Sequence, residues 1–139
     1  MKSGSLSDRS SIHDMQPHRL LIVEDEIILA MDMKARLTDM GYTVVGMVST
    51  GMDAIAAAEQ HLPDLILMDI RLCGRMDGID AALEIRKCHC FPMIFLTAYA
   101  DEETRQRAQA VGPHEFLSKL TADSDLHTAI ETALAGRPI

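Results

Sequence analysis

Basic residues are scarce in this sequence. Its 139 residues hold 13 lysines and arginines against 21 aspartates and glutamates, a net charge of −8. Binding to nucleic acid usually needs a basic face, so direct contact with DNA or RNA is not expected; the balance suits a protein that gathers acids around a cation. Long apolar runs are also missing. Nothing approaches the roughly 20 residues of a membrane span, and no secretory signal is evident, so the expectation is a cytoplasmic protein away from the membrane. Cysteines are few and odd in number, at Cys73, Cys88 and Cys90, which excludes a disulfide framework. Cys88-His89-Cys90 lacks the four spaced ligands of a structural zinc site, and ordinary packing is the expected role of these thiols.

What is present is one domain's worth of alternating apolar runs and helical patterns, with 47% hydrophobic residues for its core. The run Leu65-Ile66-Leu67-Met68 follows Pro63-Asp64 and stops at Asp69. Such a run reads as a buried strand of a parallel sheet. An acid at its end lies on the carboxyl edge, where open α/β sheets place their ligands. Leu20-Leu21-Ile22-Val23 is a similar strand ending in Glu24-Asp25-Glu26. Further strands are read at Tyr42 to Val48, at Pro92 to Leu96 ending at Thr97, and at Glu115-Phe116-Leu117 before Ser118-Lys119.

Helices fill the gaps. Ile27, Ala30, Met33, Leu37 and Met40 step by three and four, and Gly41 stops that helix. Glu26 reads as a first-turn acid suited to the helix dipole. Thr50 to Asp53 resembles a capping box, and Pro63 ends the alanine-rich helix that follows. Asp77 caps a third helix through Ile79, Leu83 and Ile85; Asp101 caps a polar fourth that ends at Gly112-Pro113. A fifth runs from about Ala122 to Ala135, with Leu126, Ala129, Ile130, Ala133 and Leu134 inward. Residues 1–17 are serine-rich and read as a flexible tail, 18–136 as the folded domain, and 137–139 as its end.

Five strands alternating with five helices predict an α/β flavodoxin-like three-layer sandwich with parallel strand order 2-1-3-4-5. In that order the first and third strands are neighbours, so Glu24, Asp25 and Asp69 meet at one edge with Thr97 and Lys119. Converging carboxylates raise each other's pKa. A hard divalent cation such as Mg2+ removes that penalty, a lysine ammonium grips a phosphoryl oxygen, and a threonine hydroxyl donates to another. The set suits phosphoryl transfer to a carboxylate.

The pieces Leu21-Ile22-Val23-Glu24-Asp25-Glu26, Leu67-Met68-Asp69, Met76-Asp77-Gly78, Leu96-Thr97-Ala98 and Lys119 occur in an order that resembles the receiver domains of two-component response regulators. The resemblance spans residues 19 to 135. It implies that Asp69 takes a phosphoryl group from a phosphohistidine on a sensor histidine kinase or histidine phosphotransfer protein. Mg2+ (or Mn2+) would be held by Asp25, Asp69 and the backbone carbonyl of Arg71, with Glu24 acting through water. Thr97 and Lys119 would hold phosphoryl oxygens. Thr97 and Phe116 would form the switch, and the fourth helix, fifth strand and fifth helix would form the surface for an output protein or a homodimer. The resemblance implies a phosphorylated signalling switch that assists its own phosphorylation and dephosphorylation, not a turnover enzyme.

Three features depart from the common pattern. The usual lysine–proline pair, typically joined by a cis bond, is Lys119-Leu120 here; a cis bond without proline costs about 2.5–4 kcal/mol, which leaves open whether this one is cis or trans. The loop after Asp69 is one residue longer, as in a subgroup of receivers. Arg71 and Tyr99, each two positions after a site residue, are bulky and are expected to shield an acyl phosphate from water. Three other readings are weighed. A phosphohydrolase of the haloacid dehalogenase-like class would need an acid at Arg71. A flavin module would need a glycine- or hydroxyl-rich phosphate loop where Glu24-Asp25-Glu26 stands. A receiver-shaped interaction module would not be phosphorylated at all.

Overall fold

The computed structural model describes residues 16–97, 102–112 and 115–136. Strands and helices alternate: β1 (Arg19–Val23), α1 (Ile27–Asp39), β2 (Thr43–Val48), α2 (Gly51–His61), β3 (Leu65–Asp69), α3 (Gly78–Arg86), β4 (Met93–Thr97), α4 (Glu102–Gln109), β5 (Glu115–Ser118) and α5 (Asp123–Ala135). The sheet is parallel throughout, in the order β2-β1-β3-β4-β5. The expected architecture is therefore the observed one. The tail read over residues 1–17 lies outside the described residues up to position 15, as do Asp101 and Pro113.

Alternation along the central strands divides the core in two. Leu21, Val23, Ile66, Met68 and Phe95 face α2, α3 and α4. Leu20, Ile22, Leu65, Leu67, Ile94 and Leu96 face α1 and α5. Every residue of β3 and β4 is buried, which is why their sequences read as unbroken apolar runs. Burial of each such aliphatic side chain is worth about 1.5–3 kcal/mol.

Local chemistry sets the helix limits. Gly41 follows α1 with φ +99°, and Leu62 ends α2 in the left-handed region at φ 47°, one residue before Pro63. Thr50 Oγ1 accepts from the Asp53 amide at 3.1 Å, forming one half of the expected box. The complete capping box is at α3, where Asp77 accepts from the Asp80 amide at 2.9 Å and Asp80 accepts from the Asp77 amide at 3.2 Å.

Several expectations need correction. Ile27 does not face the core: it is 64% exposed, and α1 is buried through Ala30, Met33 and Leu37. Six apolar residues in the first seven positions of α1 give no unique inward stripe. Glu26 is the N-cap of α1, not a first-turn residue, and its side chain makes no cap bond. Asp69 is the last residue of β3 and pairs in register with Leu96, so it belongs to the sheet itself. The three cysteines are exposed, not packed. Among the described residues no helix is long and apolar enough to cross a membrane.

Gly78 opens α3 against the end of β3. Its amide donates to the Ile70 carbonyl at 2.8 Å, and a Cβ there would lie 2.1 Å from the Asp69 carbonyl oxygen. Backbone cannot yield as a flexible side chain can. Replacing Gly78 with alanine should destabilise the fold by about 1–3 kcal/mol, the usual range for overpacking, read as a lower urea midpoint with unchanged slope.

Candidate functional site

The site is built on strand ends. β1 and β3 are adjacent and in parallel register, with Val23 opposite Met68, so the residues that follow emerge together. Glu24 and Asp69 are buried and Asp25 is half-buried. One oxygen from each of these carboxylates falls within 4.8 Å of the others. Thr97 ends β4 and is buried; it pairs with Ser118, and its carbonyl accepts from the Lys119 amide at 3.1 Å. Lys119 thereby starts beside the edge and sends its stem over it. Its ammonium lies 3.0 Å from Asp69 Oδ2 and 3.0 Å from Glu24 Oε1.

The remaining carboxylate oxygens are held by the chain. Asp69 Oδ1 accepts from the Arg71 amide at 3.2 Å. Glu24 Oε2 accepts from the Glu26 amide at 3.1 Å. Asp25 Oδ2 accepts from the Cys73 thiol at 3.2 Å, which raises the thiol's pKa. Cys73 also forms a parallel bridge with Thr50, fastening the longer loop after β3 to the start of α2. Sequence reasoning passed over this contact because a lone exposed thiol carries no signal of its partner.

Electrostatics follow from the burial. Desolvation pushes the Asp69 carboxyl up to about 7, and the negative charge of Glu24 adds to this against the opposing pull of Lys119. Burial works against the charge on Lys119 as well, but its bonds to Asp69 and Glu24 outweigh that and raise its pKa. One ammonium thus balances only part of the charge of three acids. A buried, all-oxygen set with uncompensated negative charge fits a hard divalent cation. The cluster is the only group of this kind among the described residues; His89 instead lies 2.6 Å from Glu59.

Phe116 sits opposite Phe95, with ring centroids 5.7 Å apart, and the Arg105 guanidinium lies 5.3 Å from its ring. Phe116 is half-buried and packs on the core cluster facing α2, α3 and α4. Among the described residues no peptide bond is cis, so Lys119–Leu120 is trans, and Lys119 reaches the edge from that backbone. Arg71 is exposed. Tyr99, its expected companion in shielding, lies outside the described residues.

An acidic cradle at the switch point of a five-stranded parallel sheet, closed by a lysine from the last strand, defines the receiver class. The chain belongs to the response regulator receiver domain family, which its sequence matches over residues 20–131. It is 41% identical over 119 residues to the transcriptional regulatory protein PdtaR of Mycobacterium tuberculosis, covering 86% of this chain and 58% of that protein. It is 40% identical over 83 residues to the phyllosphere-induced regulator PhyR of Methylorubrum extorquens, covering 59% of this chain and 31% of that one. The chain therefore spans less than two thirds of these relatives. In structure it resembles the signal receiver domain of a modulated diguanylate cyclase from Desulfovibrio desulfuricans, with TM-score 0.80, 38% identity, and coverage of 86% and 94% of the two chains. Receiver domains of this family serve two-component signalling, typically with Mg2+.

The raised Asp69 pKa has a sign that can be checked. Its ordinary value is 3.8 and its folded value about 7, so its contribution to metal-free stability is full below pH 4 and lost as pH rises through about 7. A cation bound by the Asp69 carboxylate would have to displace that proton below pH 7. Calorimetric titration with Mg2+ should show affinity falling by about tenfold per unit from pH 7 towards pH 5 for one displaced proton, and levelling above pH 7. Asp69→Asn should remove that slope.

Proposed function

We propose that Asp69 is the phosphoryl acceptor of this receiver. The observation that carries the reading is the convergence of Glu24, Asp25 and Asp69 under the Lys119 ammonium at one sheet edge. A carboxylate oxygen of Asp69 attacks the phosphorus of a phosphohistidine. The P–O bond forms as the P–N bond breaks, and the departing imidazole takes up a proton. Asp25, Asp69 and the Arg71 carbonyl would hold Mg2+ or Mn2+, with Glu24 acting through water; bound there, the ion would supply charge neutralisation to the transferring group. Lys119 exchanges its bond with the Asp69 carboxylate for one with a phosphoryl oxygen, while Glu24 keeps it aimed. The Thr97 hydroxyl donates to another oxygen, and its movement is relayed to Phe116.

This chemistry makes the protein a stoichiometric switch. The residue two positions after Asp69, where a phosphohydrolase would need its acid, is the exposed cation Arg71. The acids after β1 would repel a flavin's phosphate. The output surface in this reading is formed by α4, β5 and α5, where Phe116 lies.

The donor would be a histidine kinase or a phosphotransfer protein, docking on α1. That helix begins directly after Asp25 and Glu26, and it exposes Ile27, Ile28 and Met31 by 64%, 77% and 59%. An apolar patch of this kind beside an acceptor marks a protein contact.

Incubation with Mg2+ and phosphoramidate should add one phosphoryl group to the wild type by intact mass, and none to Asp69→Asn or after chelation. An unphosphorylated interaction module would show no addition. Replacing Ile28 with glutamate should slow transfer from a phosphorylated donor protein at least tenfold, equal to about 1.4 kcal/mol, and leave the rate with phosphoramidate unchanged.

A further inference from the structure

Lys119 has to be aimed without the proline that usually follows it. The turn after β5 is locally weak. Leu120 is 92% exposed and gives the loop no packing anchor. The Leu120 amide donates to Ser118 Oγ at 3.0 Å, and the Thr121 amide to the Ser118 carbonyl at 3.1 Å, so both bonds stay within the loop. Ala122 is the N-cap of α5 and makes no side-chain cap bond. The Lys119 amide is held by the Thr97 carbonyl at 3.1 Å, but the chain that follows it has no such tie to the sheet, and the lysine stem above it has four rotatable bonds.

The chain beyond Lys119 is tied down from α1. Arg36 Nη2 donates to the Thr121 carbonyl at 2.8 Å, and Arg36 Nε donates to Asp123 Oδ1 at 2.5 Å. Nη1 lies 3.9 Å from Asp32 Oδ2, on the preceding turn of α1. The planar fork thus holds two points of the loop at once, which a single point charge cannot do. Arg36 and Lys119 line one cleft together with Glu24, Asp32 and Leu96. The rest of α5 is anchored separately, by buried Leu126, Ala129 and Ile130 and by the bond from the Tyr42 hydroxyl to Glu131 at 2.6 Å. Loss of the fork would therefore release the loop and leave the helix in place.

We propose that Arg36 is a positioning residue for phosphoryl transfer, clamping the β5–α5 connection to α1 so that the Lys119 ammonium stays over Asp69. The proposal rests on the acceptor reading above. A displacement of 1 Å can cost about a hundredfold in rate, and a loosened loop that still samples the right position should cost on the order of tenfold.

The test is the rate of phosphoryl uptake from phosphoramidate with Mg2+, by intact mass, for wild type, Arg36→Ala and Asp123→Ala, each repeated with Lys119→Ala. Melting temperatures are recorded beside the rates. Both clamp variants should take up phosphate roughly tenfold more slowly when Lys119 is present, and neither should slow uptake further when Lys119 is absent. Asp123 is 65% exposed, so its variant carries the test if Arg36→Ala fails to fold. Uptake at the wild-type rate, or equal slowing with and without Lys119, overturns the proposal alone. No uptake by the wild type overturns the acceptor reading and this proposal with it.

Discussion

The ion pair of Lys119 with Asp69 and Glu24 is the interaction on which the site depends. Two buried acids and a third beside them converge because parallel strands of equal register end together. That convergence is unfavourable by itself, as the raised Asp69 pKa records. One ammonium offsets part of it, and the charge left over suits a divalent cation. The sheet, the two-sided core and the helix caps all serve to hold these few atoms at one edge.

The support for that edge comes from unequal sources. β1, β3 and β4 are fixed by burial on both faces. Gly78 brings the backbone of α3 into contact with the Asp69 carbonyl, so the main chain of Asp69 has little room to shift. Lys119 is different, because it arrives on a turn with few anchors of its own. Its amide is tied to the Thr97 carbonyl, and the chain beyond it is tied to α1 through Arg36. The site therefore combines a closely held carboxylate with an ammonium whose following turn is tied to a distant helix.

Much of this was legible in the sequence. Buried parallel strands leave apolar runs, and Glu24, Asp25, Asp69 and Thr97 stand where those runs stop. Lys119 follows the weakest strand and was placed by topology. The inward face of α1 was partly misread because Ile27, Ile28, Leu29, Ala30 and Met31 are all apolar and carry no period. Arg36 gave no signal at all: its bonds span 85 and 87 residues, and on its own helix it looks like an ordinary surface arginine. Gly78 was visible as part of a motif, but a contact with the Asp69 carbonyl is a fact of three-dimensional packing. Local periodicity reports which side of an element is dry, not which distant loop an exposed-looking residue holds.

The bridge between Cys73 and Thr50 gives the site a direction. The longer loop after β3 is fastened to the start of α2, with Cys73 bonded to Asp25 and Met76 packed where Gly51 leaves space. That side of the cradle is walled. The opposite side is bordered by the open apolar turn of α1 and by exposed Leu120. In the proposed reading a protein donor would approach from this open side, across α1 and the β5–α5 turn. On these proposals the helix that holds the turn beyond Lys119 would also be where a partner lands, and changes to that helix would alter recognition and chemistry together.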